Sequence, residues 1–170
     1  MTTGRIQVYT GTGKGKTTAS LGLVLRAVGA GWRVFFGQFV KGRDTSEIAV
    51  LERLGVRVYR CGGRQFVVGP PAAEDRLAAR QGLAVVRQAL SGGEYDLVVL
   101  DEACVAVDCG LFTVNDLLEV LAARAASVEV VVTGRQAHPK LLEYADLVTD
   151  MREIKHYYRE GLPARRGIEL

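Results

Sequence analysis

The sequence predicts an α/β fold, a mostly parallel sheet covered by helices on both faces, and three observations carry that expectation. Strand-like runs rich in β-branched and aromatic residues alternate with longer segments of helical period. The run 96–100 is almost wholly apolar, as strands buried on both faces are, and 128–133 reads as a second buried strand. A glycine-rich turn over residues 10–18 joins a strand-like run to a helical one, the connection that opens many nucleotide-binding α/β units.

The elements follow in order. Residues 5–10 read as the first strand. The next helix places Leu21, Val24, Leu25 and Val28 at i, i+3, i+4 and i+7, and the glycines at 29 and 31 stop it. A strand over 32–40, a polar turn over 41–45, a helix over 46–54 with Ser46 as its N-cap, and a strand over 56–59 come next. The stretch 61–71, with its glycines and the Pro70-Pro71 pair, reads as a long loop and a candidate lid before a helix over 73–91. The buried strand 96–100 ends abruptly in Asp101-Glu102. A helix carrying Val114, Leu117, Leu118 and Leu121 on one face leads to the buried strand 128–133, which ends in Gly134-Arg135. A short helix over 139–145 and a strand over 147–151 complete the alternation; the tail after His156 is ambiguous, with a β-extension as one reading.

Composition bounds what such a chain does. With 170 residues, 48% of them hydrophobic, it is long enough for one substantial core and too short for two ordinary domains. Its 22 basic residues are scattered among 19 acidic ones for a net charge of +3, which gives no case for a nucleic-acid-coating surface. No apolar run approaches the roughly 20 residues that span a bilayer, and a cytoplasmic, soluble protein without membrane partners is expected. Cys61, Cys104 and Cys109 form no C-x-x-C pair and suit a reducing compartment, where they read as small, partly buried hydrophobes.

The chemistry concentrates at the ends of the predicted strands. In Thr10-Gly11-Thr12-Gly13-Lys14-Gly15-Lys16-Thr17-Thr18, the glycines allow successive N–H groups to face one anion, and the helix that follows adds the positive end of its dipole. Lys16 is placed to neutralise phosphate charge, and the Thr17 hydroxyl to ligate magnesium. Asp101 and Glu102 supply the hard oxygen donors that ion requires. Arg135, after the next buried strand, reads either as a clamp on phosphate oxygens or as a surface ion pair. His138 and His156 read first as helix-start or surface residues, with ligand contact the alternative.

The same segments carry a resemblance. Residues 10–18 (TGTGKGKTT), 98–102 (VVLDE), Thr133-Gly134-Arg135, Ala145-Asp146-Leu147-Val148-Thr149, Lys155-His156 and Gly167-Ile168-Glu169 resemble, in the same order and over nearly the whole chain, the ATP:corrinoid adenosyltransferases of the cobalamin-synthesis type. The resemblance implies a RecA-like P-loop NTPase fold and a homodimer. It implies transfer of the 5′-deoxyadenosyl group of ATP to the cobalt of a reduced corrinoid, with release of triphosphate. An electron-donating reductase or flavodoxin-like protein is the implied partner. Carried over by residue, Gly11, Thr12, Gly13, Lys14, Gly15, Lys16, Thr17 and Thr18 bind the phosphates of ATP. Thr17 with Glu102 holds Mg2+, and Lys16, Thr17, magnesium and Arg135 hold the departing triphosphate.

The sequence departs from that family after Lys41-Gly42, where Arg43-Asp44-Thr45-Ser46-Glu47 lacks the usual Trp. It departs again at Gly62-Gly63-Arg64-Gln65-Phe66, which replaces an aromatic-containing loop. Phe39, Lys41 and Phe66, or an element of a partner subunit, are therefore expected to meet the corrinoid. The competing readings are a RecA-like ATPase or small-molecule kinase acting at the γ-phosphate, and a non-catalytic ATP and corrinoid carrier.

Overall fold

In the computed structural model, which describes residues 3–40, 45–61 and 70–169, the apolar runs become the strands of one parallel sheet. β1 (Ile6–Thr10), β2 (Val34–Gln38), β3 (Arg57–Arg60), β4 (Leu97–Asp101), β5 (Glu129–Thr133) and β6 (Leu147–Asp150) lie in the order β3-β2-β4-β5-β1-β6, every neighbouring pair parallel. The helices are α1 (Lys16–Gly29), α2 (Ser46–Arg53), α3 (Ala73–Ser91), α4 (Ala103–Asp108), α5 (Val114–Ala122) and α6 (Pro139–Tyr144).

Side chains alternate along a strand, so β4 feeds two cores. Val98 and Leu100 join Leu83, Val86, Leu90, Leu117, Leu121 and Leu141 beneath α3 to α6. Leu97 and Val99 join Val24, Ala27, Ile48 and Leu51 beneath α1 and α2. Helices thus cover both faces, as expected. Each fully buried Leu or Val contributes roughly 1.5–3 kcal/mol of transfer free energy, which is why the strands buried on two faces were legible as unbroken apolar runs.

Several boundaries differ from expectation for local reasons. The second strand starts later because Trp32 donates its N–H to Ala27 O and belongs to the end of α1. α2 is capped by Thr45, in extended conformation, and Ser46 is its first helical residue. α4 was not expected at all. The tail forms a short 3-10 helix, Tyr157–Glu160, in place of a β-extension. The candidate lid falls largely on residues 62–69, outside the described ones. No helix among the described residues is long and apolar enough to cross a membrane.

The strand order places β5 between β1 and β4, so three loops converge beyond their carboxyl ends, where open α/β sheets bind ligands. β6 adds a fourth wall. Met151 donates its N–H to Thr10 O at 2.9 Å, and Met151 O accepts from Gly13 N at 2.7 Å, so the chain leaving β6 runs under the glycine-rich loop.

Candidate active site

The loop after β1 needs its glycines where it touches that chain. Gly11 sits at φ 103°, and a Cβ there would lie 2.3 Å from Asp150 Oδ1 and 2.4 Å from Met151 O. A Cβ on Gly13 would meet Arg152 C and Met151 O, each at 2.7 Å. Gly15, at φ 115°, turns the chain into α1, whose first turn carries no acidic residue. The helix therefore presents its N–H groups and positive dipole end beside the loop with no carboxylate of its own to quench them.

Lys16 is buried, and its ammonium donates to Gly11 O at 2.8 Å and Gly13 O at 2.7 Å, inside the curve of the loop. Burial lowers its pKa; the Glu102 carboxylate opposes that shift and the Arg135 guanidinium adds to it. A desolvated ammonium beside a second cation is stabilised by an incoming polyanion.

Behind the loop, Asp101 is completely buried. Its Oδ1 accepts from Thr17 Oγ1 at 2.9 Å and from Thr133 Oγ1 at 2.8 Å, and Gln38 Nε2 lies 3.5 Å from its Oδ2. The Thr133 hydroxyl also accepts the Glu102 N–H at 3.0 Å. Glu102 adopts a left-handed conformation, φ 60°, as the N-cap of α4. Strain of this kind in a residue other than glycine costs on the order of 1–3 kcal/mol and persists where surrounding contacts enforce it. Here Thr133 secures its N–H.

In front of these groups lies a cavity of about 550 Å3. Thr12, Gly13, Lys14, Gly15, Lys16, Thr17 and Thr18 form its floor; Glu102 and Arg135 flank it, and Leu21, Ser46, Glu47, His156 and the segment 167–169 complete the wall. The structure thus brings together Thr12 to Thr18 of the phosphate loop, Glu102 and Arg135, while Gly11 packs against Asp150 and Met151 outside the lining. Asp101 stands one hydrogen bond behind Thr17, outside the lining. His138 is also outside it, accepting the Lys140 N–H at 3.2 Å as the cap of α6, whereas His156 lines the wall. Phe39 is fully enclosed in the core, its ring edge-on to Phe112 at 5.4 Å, and leaves no open face for a corrinoid. Lys41 and Phe66 lie outside the described residues.

Sequence reasoning passed over Gln38 and the bridging role of Thr133. Both end apolar strands as Asp101 does, and that signal could have found them. Tyr157, which reaches Lys14 from the tail, carried no comparable signal.

A parallel α/β sheet with a glycine-rich loop over its carboxyl edge, opening a helix, is the arrangement of a P-loop NTPase-like domain. Comparison with known proteins is more specific. The chain belongs to the family described as ATP:corrinoid adenosyltransferase BtuR/CobO/CobP, whose family model matches residues 2–170. A corrinoid adenosyltransferase of Pseudomonas aeruginosa is 37% identical over 170 residues, covering 98% of this chain and 84% of that protein. A corrinoid adenosyltransferase of Escherichia coli K12 is 35% identical over 168 residues, covering 98% and 85%. The corrinoid adenosyltransferase CobA of Salmonella typhimurium is likewise 35% identical, with the same coverage.

Proposed function

We propose that this chain transfers the 5′-deoxyadenosyl group of ATP to the cobalt of a reduced corrinoid, forming adenosylcobalamin or a related adenosylcorrinoid and releasing triphosphate. The observation that carries the reading is the coincidence of family membership over residues 2–170 with a glycine-lined cavity at the end of β1 that Lys16 and Arg135 border. In this reaction cobalt in its +1 state attacks the ribose 5′ carbon, the C5′–O bond breaks, and its electron pair leaves with the triphosphate oxygen. No protein nucleophile is needed. What the protein supplies is stabilisation of charge developing on the leaving group.

The residues divide that task. The loop over residues 11–18 and the N-terminus of α1 hold the triphosphate, Lys16 neutralises it from within the loop, and Arg135 clamps it from the end of β5. The donor set fits magnesium: the Thr17 hydroxyl gives its proton to Asp101, which turns its lone pairs outward, and Glu102 adds a carboxylate at the wall. Among the described residues no cluster of three His, Cys, Asp or Glu forms a cage, which suits an ion completed by phosphate oxygens and water. When bound, the ion supplies further positive charge against the departing triphosphate. Corrinoid contacts are assigned to the segments carrying Lys41 and Phe66, and a homodimer served by an electron-donating reductase or flavodoxin-like protein is the proposed working state.

The test is anaerobic incubation with magnesium-ATP and chemically reduced cobalamin, following the cobalt spectrum and identifying the phosphate product. Adenosylcobalamin with triphosphate is expected. ADP with unchanged corrinoid would indicate γ-phosphate chemistry instead, and adenosylcobalamin bound tightly without turnover would indicate a carrier.

A further inference from the structure

Lys14 lies in the phosphate loop, yet its ammonium is engaged elsewhere. It donates to Glu169 Oε1 at 2.7 Å and to the Tyr157 hydroxyl at 2.9 Å, and it lies 5.6 Å from the centre of the Tyr157 ring. Tyr157 also hydrogen-bonds Glu169 Oε1. From the other side Arg165 closes the group: its guanidinium sits 5.0 Å from the Tyr157 ring centre, and its backbone N–H donates to Glu169 Oε2 at 2.9 Å. Both Glu169 oxygens are therefore occupied, and the carboxylate is only 17% exposed. These contacts hold Glu169 well below the usual carboxylate range, Lys14 foremost, and raise Lys14 in turn.

The consequence is positional. The chain from Gly167 to Glu169 borders the same cavity as the loop, and the ion pair joins residues 155 positions apart. The Glu169 carboxylate pairs with Lys14 at 2.7 Å and with Arg165 at 3.4 Å, which directs the Lys14 ammonium toward the C-terminal segment, whereas the Lys16 ammonium is held by the Gly11 and Gly13 carbonyls inside the loop.

We propose that the Lys14 side chain serves the C-terminal segment and not the triphosphate: with Tyr157, Arg165 and Glu169 it forms a clasp that docks residues 167–169 on the phosphate loop as a wall of the nucleotide site. Glu169 is then a positioning residue for ATP, acting through Lys14 and the loop. The inference concerns nucleotide binding alone and does not require that the adenosyl group be transferred.

A double-mutant cycle on the full-length chain tests it, with the ATP dissociation constant measured calorimetrically without corrinoid. Lys14→Met and Glu169→Gln are each expected to weaken ATP about tenfold, and the double variant no more than either alone, because each opens the same clasp. Tyr157→Phe, which keeps the ring under Arg165, is expected to fall between wild type and Glu169→Gln. Melting temperatures without ATP are expected to stay within a few degrees of wild type, while the ATP-induced rise shrinks in step with affinity, which loss of general stability would not produce. If Glu169→Gln tightens ATP while Lys14→Met weakens it, Lys14 binds phosphate, Glu169 competes for it, and the proposal is wrong. Independent, additive losses would overturn it as well, as would unchanged affinity in both single variants. Wild-type protein that binds ATP but makes no adenosylcobalamin would remove the proposed reaction and leave the clasp standing.

Discussion

Two lysines, Lys14 and Lys16, point into opposite environments from the same loop. Lys16 is desolvated and held by two carbonyls, so its pKa is pulled below the ordinary 10.5, chiefly by burial. A bound triphosphate would raise that pKa again, so ATP binding is linked to proton retention at Lys16. Affinity is then complete below the pKa of the free protein and is lost as pH rises through it toward the higher value of the complex. Calorimetric titration of ATP across the alkaline range is expected to show affinity falling at a pH below 10.5, with proton uptake in buffers of different ionisation enthalpy. A flat profile up to 10.5 would show that the ammonium is not depressed in solution. Lys16→Ala is expected to weaken ATP by about 2–5 kcal/mol, the usual cost of removing one partner from a buried charge pair. Glu102→Ala is expected to keep the fold and lose the magnesium dependence of binding.

At the scale of elements, two glycines in helices face opposite demands. In α3, a Cβ on Gly82 would lie 2.5 Å from Cys61 Cβ and 2.8 Å from Cys61 Cα, where backbone must give way. In α1, nothing lies within 4 Å of a Cβ on Gly22. Gly22→Ala is therefore expected to raise stability by up to about 1 kcal/mol through helix propensity. Gly82→Ala is expected to lower it by about 1–3 kcal/mol, the overpacking cost outweighing the same propensity gain. Opposite shifts in denaturant midpoint check both; a stabilised Gly82→Ala would mean that α3 does not approach β2 and Cys61 so closely. The sequence carried most elements because burial on two faces leaves unbroken apolar strands, and burial on one face leaves a helical stripe. α4 escaped because six residues, ACVAVD, are too short to display a period and two of them are β-branched. The phosphate loop was legible because its glycines answer a local steric demand. The clasp on Lys14 was not, since it depends on a contact across 155 positions that no local pattern records.

At the scale of the whole molecule, the site works only if β1 and β4 keep their spacing, and β5 stands between them. Thr133 ties the end of β5 to the end of β4, donating to Asp101 and accepting the Glu102 N–H, while Asp101 in turn holds Thr17 at the start of α1. Thr133→Val preserves shape and removes the hydroxyl, leaving Asp101 one donor short and the strained Glu102 backbone without its acceptor. An unsatisfied buried group costs about 1–3 kcal/mol, and a buried methyl in place of the hydroxyl returns up to roughly 0.8 kcal/mol, so a net loss of about 0.2–3 kcal/mol is expected. Thr113→Val supplies the comparison, because Thr113 caps α5 through the Asp116 N–H at 3.2 Å and does not line the cavity. Loss of that cap costs about 1 kcal/mol. Both variants should therefore melt earlier, but only Thr133→Val should also weaken magnesium-ATP, about tenfold, with a smaller effect on ATP measured in EDTA. If the two variants lose stability alike and both bind magnesium-ATP as wild type does, the Thr17–Asp101–Thr133 chain is scaffolding for the sheet, and the geometry of the metal site is set by the loop alone.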